Sequence, residues 1–410
     1  MKILILSQNE VSHNPRLLKA ADYFLDKGWQ VTVVNGVSGF GEKKAYERIR
    51  DERKWEVIEN IIDKRNLYFQ IRWVLISLVQ KIGWLLWSNF KLDSLHILNK
   101  GLILANIPKI KFDIILINLV DTLPLASKIK KKTNSNYLIY DSQEYFEGQY
   151  QKYGKDQLGW VIKAEREHIS NADLIIGTTF AMTTKLKSKW PDKSVVRVRN
   201  IPYNSIGFES SNLNESSILR IIWHGMSINY NNCRGVQIIV KALSKCDTNI
   251  ELTLQGKLVK DDYEQLKEEA IAYGIWDKIN FNESVDPDRI TGSLTDYDVG
   301  VTGELPEEEN QILTSSNKLF EYIHAGLCTV VPSLPGIKET IDEYKTGLLY
   351  ASGNFTELAS ILDYLNLERG ELNRFKANSL RVSKDLIWKN DYDSVLEEYK
   401  RNMNLSISVR

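Results

Sequence analysis

The stretch richest in chemistry is TSSNKLFEYIHAGLCTVVPSLPGIKETI, Thr314 to Ile341. A strand, Asp298–Thr302, ends before it, and a polar loop from Gly303 to Leu313 leads into it. Ser315 or Ser316 then stands where a cap belongs, and the pattern predicts a helix from about Asn317. The free N–H groups and partial positive charge of a helix start make a site for a phosphate or diphosphate. Lys318 adds a mobile ammonium in the first turn. Glu321, three residues after Lys318 and four after Asn317, falls on the same face, where a carboxylate can accept two hydrogen bonds from a ribose diol. Phosphate at the cap and ribose one turn deeper have the dimensions of a nucleotide. Taken alone, the same residues also describe a capped helix with a Lys318–Glu321 ion pair.

With the strand that follows, the Pro335-Gly336 turn, Glu339 and the Thr346-Gly347 turn, this stretch resembles the donor-binding segment of retaining family-4 glycosyltransferases (glycosyl transferases group 1), in the variant with Asn-Lys before the glutamate. The resemblance implies that Glu321 grips the nucleotide ribose and that Ser316, Asn317 and Lys318 hold the diphosphate. One position departs. Many relatives carry a further glutamate eight positions before the ribose-binding one, where this chain has Leu313. Glu304, Glu307, Glu308 and Glu309 are the nearby carboxylates, and the sequence does not choose among them.

RIIWHGMSINYNNCRGVQIIVKAL, Arg220 to Leu243, resembles the family's first strand and loop of the donor domain. The resemblance places Arg234 at the donor phosphates, where a guanidinium binds oxygens in pairs. An arginine at a helix start is unfavourable unless an anion is present, which favours that role over a plain surface arginine. Gly225, at the end of the strand, and Gly256, after Gln255, are read as donor-side glycines. His224 reads equally as a packed core histidine. On the acceptor side, SQNEVSHNPRLLKAADYFLDKGWQVTVV resembles the family's opening strand–loop–helix, which implicates Asn9, His13 and Arg16. An ion pair to a neighbouring loop is as good a reading of Arg16. Gln143 stands in YDSQEYFEGQY where relatives have histidine, and Asn118–Asp121 also lacks the usual histidine.

The elements that must position these residues alternate along the chain. Candidate strands are Lys2–Leu6, Gln30–Val34, Asp113–Asn118, Asn136–Tyr140, Asp173–Gly177 and Ser194–Val198 in the first half. Leu219–Trp223, Ile250–Gln255, Lys278–Phe281, Asp298–Thr302 and Cys328–Pro332 follow in the second. Nearly continuous apolar runs, separated by helical patterns, are the mark of parallel sheets buried on both faces. ESSNLNESS, Glu209–Ser217, is polar and aperiodic and reads as a linker. The expectation is therefore α/β: the GT-B fold, two tandem Rossmann-like, doubly wound domains facing a central cleft. Their bounds are read as 1–208 for the acceptor domain and 209–385 for the donor domain, with a C-terminal helix at about 386–410 packing back on the first.

Composition excludes other classes. Lysine and arginine number 53, as do aspartate and glutamate, so the chain lacks the basic field of a nucleic-acid binder. Three cysteines, Cys233, Cys246 and Cys328, form neither a zinc ligand set nor a disulfide framework and fit the cytoplasm. No run approaches the roughly 20 apolar residues of a membrane span. The aromatic segment 67–98 reads either as a core-facing helix pair, which is favoured, or as a peripheral contact with the membrane surface. Nucleotide-hydrolysing, dinucleotide and serine-hydrolase motifs do not occur. The resemblance implies a retaining hexosyltransferase that uses a UDP- or GDP-sugar, with no metal or other cofactor, in cell-surface polysaccharide or glycolipid synthesis. Its partners would be the nucleotide-sugar and a glycan or lipid-linked acceptor. An epimerase or hydrolase of the same fold, or a non-catalytic relative, are the alternatives.

Overall fold

The computed structural model describes residues 1–6, 14–35, 52–59, 71, 74, 75, 78, 82, 104–203, 218–286 and 289–404. Asn9, His13 and the Glu209–Ser217 linker lie outside them, as does most of 67–98. The chain forms two compact units. The first is Met1–Gly177, Thr183–Val198 and Tyr392–Arg410, and the second is Thr178–Met182 and Arg199–Asp391.

The first unit runs β1 (Lys2–Leu6), α1 (Pro15–Asp26), β2 (Gln30–Asn35), β3 (Glu56–Glu59), β4 (Ile114–Asn118), α2 (Ala126–Thr133), β5 (Leu138–Asp141), α3 (Tyr150–His168), β6 (Leu174–Gly177), α4 (Phe180–Lys189) and β7 (Ser194–Arg197). α4 begins in the segment that belongs to the second unit. All seven strands are parallel, in the order β3-β2-β1-β4-β5-β6-β7. β1 and β4 hold the centre because Ile3 to Leu6 and Ile114 to Ile117 are fully buried. β3 and the long α3 are elements that the sequence pattern does not reveal. Glu56–Glu59 is short and half charged, and Tyr150–His168 has a weak apolar stripe broken by Gly154 and Gly159.

The second unit runs β8 (Leu219–Ile228), α5 (Val236–Leu243), β9 (Ile250–Leu258), α6 (Lys260–Ala272), β10 (Ile279–Asn282), α7 (Ile290–Ser293), β11 (Val299–Val301), α8 (Glu309–Leu313), α9 (Asn317–His324), β12 (Cys328–Pro332), α10 (Pro335–Tyr344), β13 (Gly347–Tyr350), α11 (Phe355–Leu367), α12 (Arg369–Ser383) and α13 (Trp388–Asn402). Its six parallel strands lie in the order β10-β9-β8-β11-β12-β13. Both sheets are Rossmann-like, and the fold is GT-B.

Several boundaries move. Gly225 and Gly256 do not end strands. β8 and β9 continue past them through a register shift between His224 and Ser227. The loop expected over Gly303–Leu313 contains α8, fastened by a capping box between Glu308 and Gln311. Pro335-Gly336 is not a turn but the first turn of α10, where proline suits the N1 position.

α13 crosses from the second unit to the first at Tyr392. There Tyr392 meets Tyr23 and Phe24 of α1, with ring centroids 4.9 and 5.8 Å apart, and Tyr399 meets Trp29 and Tyr137 at 5.9 and 4.9 Å. Within 67–98, the described positions Ile71, Val74, Leu75, Leu78 and Ile82 are helical and more than half exposed, so these five do not face a core. Among the described residues no helix is long and apolar enough to cross a membrane.

Candidate functional site

In an open α/β sheet, ligands sit at the carboxyl ends of the strands where the strand order reverses direction. In the second unit that point lies between β8 and β11, the neighbours at which the sequence order turns. β8 brings Trp223 and His224 to it, and β11 leads to Thr302, Gly303 and Glu304.

The two loops are joined backbone to backbone. Leu305 N–H donates to the Cys233 carbonyl at 2.8 Å. Gly235 adopts φ +71°, and a Cβ there would fall 1.6 Å from the Gly303 carbonyl oxygen, so only glycine permits the approach. Arg234, next to this contact, is exposed, and its N–H donates to Asn232 Oδ1 at 2.9 Å. Gly225 and Gly256 form a second close pair, since a Cβ on Gly256 would lie 2.6 Å from the Gly225 carbonyl oxygen.

α9 starts beside these loops. Ser316 occupies the cap position with extended backbone, φ −75° and ψ 150°, yet its hydroxyl makes no capping bond. The expected side-chain cap is therefore absent. Ser315 Oγ and Ser316 Oγ are both buried without a hydrogen-bond partner, as are Thr302 Oγ1, Trp223 Nε1 and both carboxylate oxygens of Glu304. Buried polar atoms are nearly always paired, so these atoms keep hydrogen-bonding capacity for water or a ligand. Asn317 is exposed at the first helical position.

Lys318 is not the mobile surface ammonium that its place in the first turn suggests. It is 5 % exposed, and its Nζ sits 5.5 Å from the Trp223 ring centroid, within reach of the ring's negative face. Burial lowers its pKa, opposed chiefly by the charge of Glu304 and reinforced by Arg234. The Lys318–Glu321 ion pair is not formed. Glu321 instead lies 3.2 Å from His224 Nε2, an ion-pair distance without hydrogen-bonding geometry. The His224 imidazole is held edge-on against Tyr322, with centroids 5.2 Å apart.

Residues 219–366 match the family model for glycosyl transferases group 1. No curated protein matches the chain. Among solved structures it is similar to HepE from Anabaena in complex with UDP and glucose, at 14 % identity over 98 % of this chain and 100 % of that one, with a TM-score of 0.64. It is likewise similar to sucrose-phosphate synthase from Thermosynechococcus elongatus, at 13 % identity over 99 % and 100 %, TM-score 0.66. The lipopolysaccharide outer core galactosyltransferase WaaB in its apo form matches at 11 % identity over 97 % and 99 %, TM-score 0.61.

In the second unit Glu304 is one of the four nearby carboxylates among which the sequence does not choose. Four acidic residues crowd that loop, and only the fold separates them. Glu308 closes the capping box of α8, whereas the Glu304 carboxylate is the one whose charge reaches Lys318. Glu339 carries a different task. Its carboxylate accepts from Phe180 N–H at 2.8 Å and Ala181 N–H at 3.2 Å, at the start of α4.

In the first unit, Arg16 is 3 % exposed and its Nε lies 3.0 and 2.8 Å from the two oxygens of Asp141. Arg16 thus forms an ion pair, with the end of strand β5 rather than with a loop. Gln143 follows at the end of β5 with φ +58°, and Leu119 at the end of β4 with φ +67°, two non-glycine residues in the left-handed region.

Proposed function

We propose that this chain is a retaining glycosyltransferase that takes a sugar from a nucleotide diphosphate donor, with UDP-sugars tested first. One observation carries the reading. The uncapped start of α9, the buried cation Lys318 and the carboxylate Glu321 stand together at the strand-order reversal of the transferase domain. The HepE structures, which hold UDP and UDP-glucose, and the family match support it.

In this reading the diphosphate lies against the α9 N–H groups and the Ser316 hydroxyl, with Asn317 and Lys318 beside it and Arg234 reaching in from solvent. Gly225 and Gly256 let backbone pass close to the donor. The ribose diol donates to Glu321, which His224 holds in place. The C1–O bond to the diphosphate breaks, the bond from C1 to the acceptor oxygen forms, and the acceptor proton passes to the departing phosphate oxygen. Negative charge grows on the leaving group, where Lys318, Arg234 and the helix dipole offset it. The protein's cations thus do the work without a metal. The bare Glu304 carboxylate is suited to accept hydrogen bonds from sugar hydroxyls.

The test is incubation with UDP- and GDP-sugars, following nucleotide release with and without glycan or lipid-linked acceptors. Acceptor-dependent release supports the transferase. Conversion of the donor without acceptor indicates an epimerase or hydrolase, and nucleotide binding with no conversion indicates a binding protein.

A further inference from the structure

α9 has no side-chain cap, so neighbours rather than its own serines must fix where it starts. Three neighbours hold the residues that lead into it. Thr179, in the segment Thr178–Met182 of the second unit, donates from its hydroxyl to the Leu313 carbonyl. Gly336, in the first turn of α10, packs against the same backbone. A Cβ there would lie 2.5 Å from both the Leu313 and the Thr314 carbonyl oxygens. Thr314 is tied back to α8, its N–H and hydroxyl donating to the Asn310 carbonyl at 3.0 and 2.8 Å. Ser315 and Ser316 follow directly, both hydroxyls buried and without a partner.

α10 also holds the turn that carries Thr179. Glu339 stands three residues after Gly336, on the same face of the helix. Its carboxylate accepts from Phe180 N–H at 2.9 and 2.8 Å and from Ala181 N–H at 3.2 Å. The first N–H groups of a helix have no partner within it and carry partial positive charge, so a carboxylate there is held by charge as well as by hydrogen bonds. Glu339 thus caps α4 from a helix 159 residues away. Thr179 adds a cap of its own, its Oγ1 accepting from Met182 N–H at 3.0 Å. A hydroxyl that accepts from Met182 sends its own proton elsewhere, and the Leu313 carbonyl receives it.

We propose that Thr179 and Glu339 are positioning residues for the anion site at the start of α9. Their effect on it passes through backbone. Glu339 fixes the turn that presents the Thr179 hydroxyl. That hydroxyl fixes the Leu313–Thr314 backbone, from which Ser315, Ser316 and the first N–H groups of α9 follow. Losing either hold lets this backbone shift and misaligns several donors on one diphosphate together. Glu321, on the second turn, is set beside His224 by a different contact. The loss therefore falls on phosphate rather than on nucleoside. The role toward a diphosphate rests on the transferase reading, but the link from Glu339 through Thr179 to the start of α9 does not.

Thr179→Val removes the hydroxyl and Thr179→Ser keeps it. Glu339→Gln keeps the length of the side chain but turns an NH2 group on N–H donors. UDP and uridine are titrated calorimetrically into the full chain and each variant, and amide hydrogen exchange over 178–182 and 310–316 is read by mass spectrometry without ligand. The dissociation constant for UDP should rise roughly three- to tenfold in Thr179→Val and in Glu339→Gln, with uridine affinity level. Exchange should quicken over both segments in both variants, and Thr179→Ser should restore the values of the unaltered chain. The double variant should lose no more UDP affinity than the weaker single one, because both substitutions act through one hydroxyl. A lower melting temperature with UDP affinity unchanged, equal losses for UDP and uridine, or additive losses in the double variant overturn the proposal. Should the unaltered chain fail to bind UDP, the transferase reading is removed, and exchange over 310–316 alone decides whether Thr179 and Glu339 set the start of α9.

Discussion

Glu321 Oε2 and His224 Nε2 stand 3.2 Å apart, one on the second turn of α9 and the other in β8. The imidazole, 5 % exposed and braced by Tyr322, fixes where the carboxylate can be. The geometry is not that of a hydrogen bond, so the carboxylate keeps its lone pairs for a ligand. Replacing Glu321 by Ala should raise the dissociation constant for UDP roughly ten- to a hundredfold, the loss of two hydrogen bonds to a charged acceptor. The melting temperature should stay within a degree or two. Isothermal titration calorimetry checks the first part, and an unchanged affinity takes Glu321 out of the site.

Lys318 predicts a pH effect. Its pKa is lowered in the folded chain, chiefly by burial, so it loses its proton at a lower pH than an exposed lysine. The sign follows for both stability and binding. Below its folded pKa the buried charge is held at a cost, and that cost is relieved as pH rises from the folded toward the unfolded pKa. A diphosphate needs the charged form, so UDP affinity should fall over the same window while uridine affinity stays level. Lys318→Ala should remove the alkaline limb and weaken UDP far more than uridine. Parallel losses for both ligands would contradict a phosphate role.

Much of this site was legible before the fold, because a helix start, a cation and a carboxylate at fixed spacing need only local structure. The spacing put Ser316, Lys318 and Glu321 on one end and one face of α9. It could not show that Lys318 is buried, since that depends on Trp223, nearly a hundred residues away in sequence and under its ammonium. Nor could it choose Glu304 from four clustered glutamates, because the choice is made by which of them α8 uses for its cap. The parallel sheets were legible from Ile114–Ile117 and Leu174–Ile176, whose apolar runs admit only two-sided burial. The capping orientation of Asn14 was not, because Asn118 reaches it from 104 residues away.

The contact of Gly235 with Gly303 joins the loops that carry Arg234 and Glu304. Gly235→Ala places a methyl inside the Gly303 carbonyl and adds left-handed strain. A cost of about 2–4 kcal/mol is expected, or a fall of roughly 4–16 °C in the melting temperature of a unit this size. Scanning calorimetry checks it. UDP affinity should fall with it, because the loops separate. Gly274→Ala is the control. Gly274 also has φ +67°, but a Cβ there meets nothing within 4 Å, so it should show the strain without the loss of UDP affinity.

Asp141 is 1 % exposed and exists in that state because Arg16 binds both of its oxygens. Arg16 also donates from Nη1 to the Val198 carbonyl at 3.0 Å, which ties α1, β5 and the end of β7 together. A buried ion pair adds little net stability over an apolar pair of the same shape, but breaking it from one side leaves a bare charge in the core. Asp141→Ala should therefore cost about 3–5 kcal/mol, and Arg16→Ala a similar amount. The double substitution should cost less than the sum, because neither charge remains. Urea denaturation followed by tryptophan fluorescence, with the four chains of the cycle compared, measures the coupling directly. Additive losses would mean that the two charges are satisfied independently. A double variant markedly less stable than either single one would show that the pair is held for packing rather than for mutual neutralisation.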